Sequence, residues 1–177
     1  DKMSDITRII QEGKFADYPQ QPHGGKLVNL VLKDKELEDA LRRVKSLPAI
    51  MIDMEAVITV EMIATGVLSP NDGFMDESNY KSVLSKGRLT NGLVWPVPLS
   101  FSPTGDRNKL VVESLSVGDE VALIDEGKNP IAILTLNDIF SYDREYRAKQ
   151  LFGTNDRNHP GVDAIYRRMG DIALGGT

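Results

Sequence analysis

A chain of 177 residues, 41% of them hydrophobic, is long enough to bury one ordinary core, and its lack of cysteine excludes disulfides and thiolate metal sites. Its formal net charge of −5 opposes non-specific binding to nucleic acid, whose phosphates are read through clustered Lys and Arg. No apolar run approaches the roughly 20 residues a membrane-spanning helix needs, and Asp1 to Gly13 lacks the basic-then-apolar layout of a secretory signal, so a cytoplasmic protein is expected.

In chain order, residues 1–21 mix polar, charged and turn-forming types and read as an amino-terminal arm. Pro22 and the pair Gly24-Gly25 interrupt any regular pattern before Leu27. After the apolar run Leu27 to Leu32, Asp34 is placed to cap a helix carrying Leu37, Leu41 and Val44 at helical spacing, with Arg42, Arg43 and Lys45 late in it and Pro48 stopping it. From Ile50 to Ile58 the period changes to two, which predicts a half-buried strand with Ile50, Ile52, Met54, Ala56 and Ile58 on one face. Thr59 is expected to cap a short helix to Thr65, with Gly66 as its left-handed exit. Ser69-Pro-Asn-Asp-Gly73 is the strongest turn signal, Pro70 fixing φ and Gly73 permitting positive φ, with Phe74 and Met75 leaving it as anchors.

A helix is predicted from about Asp76 to Lys86, with Tyr80, Val83 and Leu84 inward and Gly87 ending it. Leu93 to Phe101 reads as a strand confined to an edge or bulge by Pro96 and Pro98. Three further strands are predicted at Lys109 to Glu113, Glu120 to Ile124 and Ile131 to Leu136, separated by short turns. Asp143 is placed to cap a helix over Arg144 to Phe152 that Gly153 ends, Pro160 opens a last helix to Arg168, and Ile172 to Leu174 completes a final strand. The expected class is α+β, a small mixed β-barrel with peripheral helices, in one domain over residues 22–170, with 171–177 beginning a linker.

The chemistry-bearing residues are sparse. His23 and His159 lie in turns with no nucleophile beside them and no His-x-x-His spacing, so backbone bonding and helix capping are their expected roles, and no metal site is expected. No Gly-x-x-x-x-Gly-Lys-Ser/Thr loop is present to cradle phosphates. The carboxylates Asp72 with Asp76, and Asp125 with Glu126, fall among turn residues. The cationic groups Arg42-Arg43-Lys45, Arg144 with Arg147 and Lys149, and Arg167-Arg168 read as solvated helix faces.

The segment Gly66-Val-Leu-Ser69-Pro70-Asn-Asp-Gly73-Phe74-Met75 resembles the Gly-x-Phe-Ser-Pro-Leu-x-Gly-Phe-Met stretch of the sulfate adenylyltransferases (ATP sulfurylases). The resemblance extends in the family's order through Pro22-His23-Gly24-Gly25-Lys26-Leu27-Val28, Arg88-Leu89 to Trp95-Pro96-Val97-Pro98, Gly118-Asp119-Glu120-Val121-Ala122-Leu123, Phe152-Gly153-Thr154 and His159-Pro160-Gly161-Val162. Leu68 stands where phenylalanine is common, and Asn71-Asp72 replaces the usual leucine-containing pair. The family joins ATP and sulfate to give adenosine 5′-phosphosulfate and pyrophosphate, or runs in reverse. Its Gln-x-Arg-Asn and His-x-x-His motifs, which hold the phosphates, do not occur in this chain, and Asp156-Arg157-Asn158-His159 aligns with a different family segment.

The resemblance therefore implies the family's first, non-catalytic domain, a barrel resembling the PUA fold. It implies no catalytic, substrate-binding or metal residues here, and a structural role for the signature residues Ser69, Pro70, Gly73, Phe74, His159, Pro160 and Gly161. ATP and Mg2+ are expected of the full-length enzyme, and no cofactor of this chain. The expected partners are its own catalytic domain and, at full length, further copies of itself, with neither membrane nor nucleic acid. The alternative reading is a stand-alone PUA-like module that binds RNA or a protein partner.

Overall fold

The computed structural model describes residues 21–177, so the expected arm lies almost wholly outside the described residues. Six α-helices and four strands are described: α1 (Asp34–Val44), β1 (Ala49–Met51), α2 (Met54–Ala64), α3 (Glu77–Lys86), α4 (Asp106–Ser114), β2 (Glu120–Ile124), β3 (Pro130–Ser141), α5 (Arg144–Phe152), α6 (Pro160–Arg168) and β4 (Ile172–Gly176). The strands form one sheet in the order β1-β2-β3-β4. β1 pairs parallel to β2, aligning Ile50 with Leu123, while β2 with β3 and β3 with β4 are antiparallel. The α+β class stands. Among the described residues β1 and β4 are not paired with each other, so the described sheet is open where a barrel was expected.

β3 is twelve residues long, not six, because it serves two partners in turn. Its first half, Pro130 to Thr135, pairs with β2, and its second half, from Leu136 to Ser141, pairs with β4. The register shifts between Leu136 and Asp138, the local kink an extra residue gives a strand. Asp138 there accepts a hydrogen bond from the Glu77 backbone N–H at 2.8 Å, fixing the start of α3. The main core fills the space over this sheet with Ile50, Ile52, Phe74, Phe101, Val121, Leu123, Leu134, Leu136 and Leu174.

One expected strand turns into a helix after its first residues, and another is helical throughout. The alternation from Ile50 onward is interrupted at Asp53, whose side chain accepts from the Ala56 N–H at 2.8 Å and so caps α2. Thereafter the helical period decides burial: Val57 and Ile63 are buried, while Met54 and Ile58, assigned to the inner strand face, are exposed. Thr59 is mid-helix and bonds back to the Glu55 carbonyl instead of capping. Lys109 to Glu113 likewise lies in α4, which leaves Leu110 outside and buries Val112. Asn108 explains why α4 sits where a strand would pair. Its amide accepts from the Met51 N–H at 3.0 Å and donates to the Met51 carbonyl at 2.8 Å, satisfying the free edge of β1 with one side chain. Leu93 to Phe101 is irregular, with single backbone bonds from Met75 N–H to Leu99 and from Leu174 N–H to Phe101, as prolines at two alternate positions dictate.

The remaining elements follow their signals. Asp76 caps α3, and Gly87 closes it in the left-handed conformation. Asp143 caps α5, and Gly153 closes it in the same way. Asp34, by contrast, is itself the first residue of α1, with no capping bond from the side chain. The last strand reaches Gly176, and Ala173 and Leu174 within it are buried.

Candidate functional site

An open cleft of about 580 Å³ lies between β1 with the start of α2, the 97–104 segment, and helices α5 and α6. Phe74, Phe101, Leu151, Phe152 and Ile165 give it apolar walls. At its mouth Arg168 from the end of α6 bonds Asp53 at 2.6 Å and also Glu55, tying α6 to the start of α2. Burial works against ionisation of Asp53. The Arg168 hydrogen bond, the Ala56 N–H and the Arg168 charge outweigh it, and the carboxyl lies below its ordinary 3.8.

Arg147 lines the same cleft and is only 7% exposed. Its Nη1 donates to the Ser100 hydroxyl at 3.1 Å, and the guanidinium carbon lies 5.6 Å from the centre of the Tyr80 ring. Among the described residues no carboxylate forms an ion pair with it, and its buried Nε has no partner. A buried unpaired guanidinium costs several kcal/mol, against which the contact with Tyr80 returns about 0.5–2 kcal/mol and the Ser100 bond about 1.5–3 kcal/mol. Ser102, also 7% exposed and lining the cleft, has a buried hydroxyl without a partner, and so do Tyr80 Oη and Arg144 Nε. Burial raises the Tyr80 and Tyr142 phenols above their ordinary value of 10.0, with Arg147 opposing the rise at both.

The signature residues are spread through the fold. Ser69 is buried, accepting from the Val28 N–H at 2.9 Å and donating to the Gly66 carbonyl at 2.7 Å, so its hydroxyl joins the 28 region to the turn. The Ser69–Pro70 peptide is cis. Gly73 does not adopt positive φ. It is required because an added Cβ would stand 1.8 Å from the Gly176 carbonyl oxygen, where Phe74 and Gly176 exchange backbone bonds of 2.8 and 3.0 Å. Phe74 stacks on Phe101 at 5.0 Å and faces the cleft. His159 caps α6 through Nδ1, accepting from the Gly161 N–H at 3.1 Å, and packs 4.9 Å from the Phe152 ring; Pro160 is the first helical residue. Gly161 lines the cleft, where a Cβ would strike Phe152 at 2.4 Å. His23 donates from Nε2 to the Val94 carbonyl at 2.9 Å.

Of the signature set, Phe74 and Gly161 alone reach the cleft. Ser100 and Ser102, which line it, were not singled out by the sequence, and Arg147 is buried there and is not the solvated helix residue expected. The one available signal is the alternation Ser100-Phe101-Ser102, which places two hydroxyls together. Asp72 and Glu126 are exposed, Glu126 in the lining of the cleft, and Asp76 and Asp125 serve as a cap and a turn bond, so neither pair is set together as an acid and base.

A family model described as a PUA-like domain matches residues 20–177. The chain belongs to the PUA-like domain family. This PUA-like chain is similar to the sulfate adenylyltransferase of Aeropyrum pernix, 44% identical over 156 residues, which are 88% of the chain and 40% of that protein. It is 38% identical to the enzyme of the same name from Symbiobacterium thermophilum, covering 88% of the chain and 38% of that protein. With the Schizosaccharomyces pombe enzyme it shares 38% identity, covering 85% of the chain and 31% of that protein. A solved structure titled hexameric APS kinase from Thiobacillus denitrificans superposes with a TM-score of 0.64 at 27% identity, over 88% of the chain and 25% of that structure's chain. The PUA-like chain thus spans two fifths or less of each of these relatives' length.

Proposed function

We propose that the chain is the non-catalytic, PUA-like part of a sulfate adenylyltransferase, an enzyme joining ATP and sulfate to give adenosine 5′-phosphosulfate and pyrophosphate, or the reverse. In this reading it packs on the catalytic domain, which lies in the portion of the relatives it does not cover, and supports a cytoplasmic homo-oligomer. The observation that carries the reading is similarity over 85–88% of the chain to enzymes of which it covers 31–40%.

The described residues do not fit ATP with Mg2+. The cleft has no histidine or lysine in its lining, and Asp53 and Glu55 there are held by Arg168. Glu126 adds a further carboxylate that would repel a triphosphate, and Arg147 is left as the one lining cation without a carboxylate partner among the described residues. No group of three or more His, Cys, Asp or Glu residues among the described residues is arranged to hold a metal ion. ATP and Mg2+ accordingly belong to the remainder of the full-length enzyme in this proposal. Given ATP, Mg2+ and sulfate, the chain alone is expected to release no sulfate-dependent pyrophosphate above background, measured by a coupled pyrophosphatase assay. Turnover at the rate of a complete enzyme would overturn the non-catalytic reading.

A further inference from the structure

We propose that the cleft holding Arg147 is a binding site for a small organic oxyanion, a molecule with one carboxylate, phosphate or sulfate head and an apolar body. Three observations converge on it. Arg147 is buried and lacks a carboxylate partner among the described residues, with one neutral hydroxyl as its side-chain hydrogen-bond acceptor. The four buried side-chain polar atoms without partners among the described residues belong to Arg147, Ser102, Tyr80 and Arg144. These are connected: Arg147 stacks on Tyr80, and Tyr80 meets Tyr142 edge-on at 5.7 Å. Arg144 lies three residues before Arg147 on α5, and Ser102 lines the cleft with Arg147 and its acceptor Ser100. Unsatisfied donors are rare in folded proteins, and two of these four, on Arg147 and Ser102, belong to residues lining one cleft, which signals something that accepts from them.

The chemistry of the lining sets the class of ligand. A guanidinium and a hydroxyl donor both suit an oxyanion head, which a neutral molecule would not satisfy. The cavity of about 580 Å³ is far larger than an inorganic ion needs, and Phe74, Phe101, Phe152 and Ile165 offer apolar surface to a body attached to that head. Arg168 pairs with both Asp53 and Glu55 at the mouth and offsets one of their two charges. Glu126 also lines the cleft, so an incoming anion must be drawn by Arg147 and Ser102 against a residual negative charge. The site is separate from the chemistry assigned to the catalytic domain, so its failure would leave the proposed function untouched.

Titration calorimetry of the chain with phenyl phosphate, phenyl sulfate and benzoate, at constant ionic strength in chloride, tests this. Inorganic phosphate and neutral benzyl alcohol serve as the head-only and body-only arms. Saturable binding of at least one aromatic anion is expected, tighter than either control arm, and the three anions rank the head group. Arg147→Gln should weaken binding by about tenfold or more, and Ser102→Ala by a few-fold, with amide shifts on binding confined to residues 97–104 and helices α5 and α6. Should Arg147→Gln fail to fold, Ser102→Ala and the shift map on the unaltered chain decide. Three results would overturn the proposal: no saturable binding of any anion, shifts centred elsewhere, or affinities unchanged in both variants.

Discussion

Gly73 shows how one atom's absence fixes a fold. The turn before it brings the chain against the last strand so closely that a methyl group would sit inside the Gly176 carbonyl. Gly73→Ala is therefore expected to cost about 3 kcal/mol or more, read as a fall in the urea midpoint, because neither backbone can retreat without breaking the Phe74–Gly176 bonds. The sequence marks this glycine as necessary, but for the wrong reason: a turn signal suggests positive φ, whereas contact with a residue a hundred positions later is invisible locally. Arg147 fails to be legible for the same cause. Three cations on one helix read as a solvated face, and burial of the middle one depends on Tyr80 and the 97–104 segment closing over it. Asp53 gives a residue-scale prediction in pH. Its carboxyl is depressed below 3.8, so the stability it contributes is present above that pH and is lost as pH falls through the folded value. Because the Arg168 pair is about half exposed, Asp53→Asn, which keeps the cap, should cost no more than about 1 kcal/mol at pH 7. The gap between variant and parent should close below pH 3.8.

Elements with a local end signal were legible, and those whose identity depends on a neighbour were not. Asp76 and Gly87 bracket α3, Asp143 and Gly153 bracket α5, and Pro160 opens α6; each signal acts within one turn of the residue that carries it. The stretch from Ile50 to Ile58 contains both an alternating and a helical pattern, and a single side-chain bond from Asp53 selects the second after Ile52. Thr59→Pro separates the two readings. In the interior of α2 the ring removes a hydrogen bond and clashes with the preceding turn, at a cost of about 3 kcal/mol, whereas a proline just past the end of an edge strand would be nearly neutral. A large drop in the thermal midpoint is expected. α4 was misread because valines 111 and 112 have strand character, and the deciding contact, Asn108 on the edge of β1, crosses 57 residues.

At the scale of the whole molecule, an α+β unit with one mixed sheet carries an open cleft and two histidines bonded to backbone, His159 as a helix cap and His23 on a carbonyl. The family resemblance was legible because its turn segments are contiguous in sequence, while the order β1-β2-β3-β4 was not, since strand pairing depends on contacts across the chain. The central claim is that this unit supports sulfate activation carried out by other residues. It is tested most directly by joining the chain, in frame, to the part of the Aeropyrum pernix enzyme that follows its matching region, and measuring sulfate-dependent pyrophosphate release. The account predicts turnover by the fusion and none by the isolated chain; a folded fusion that binds ATP yet shows no turnover would contradict it.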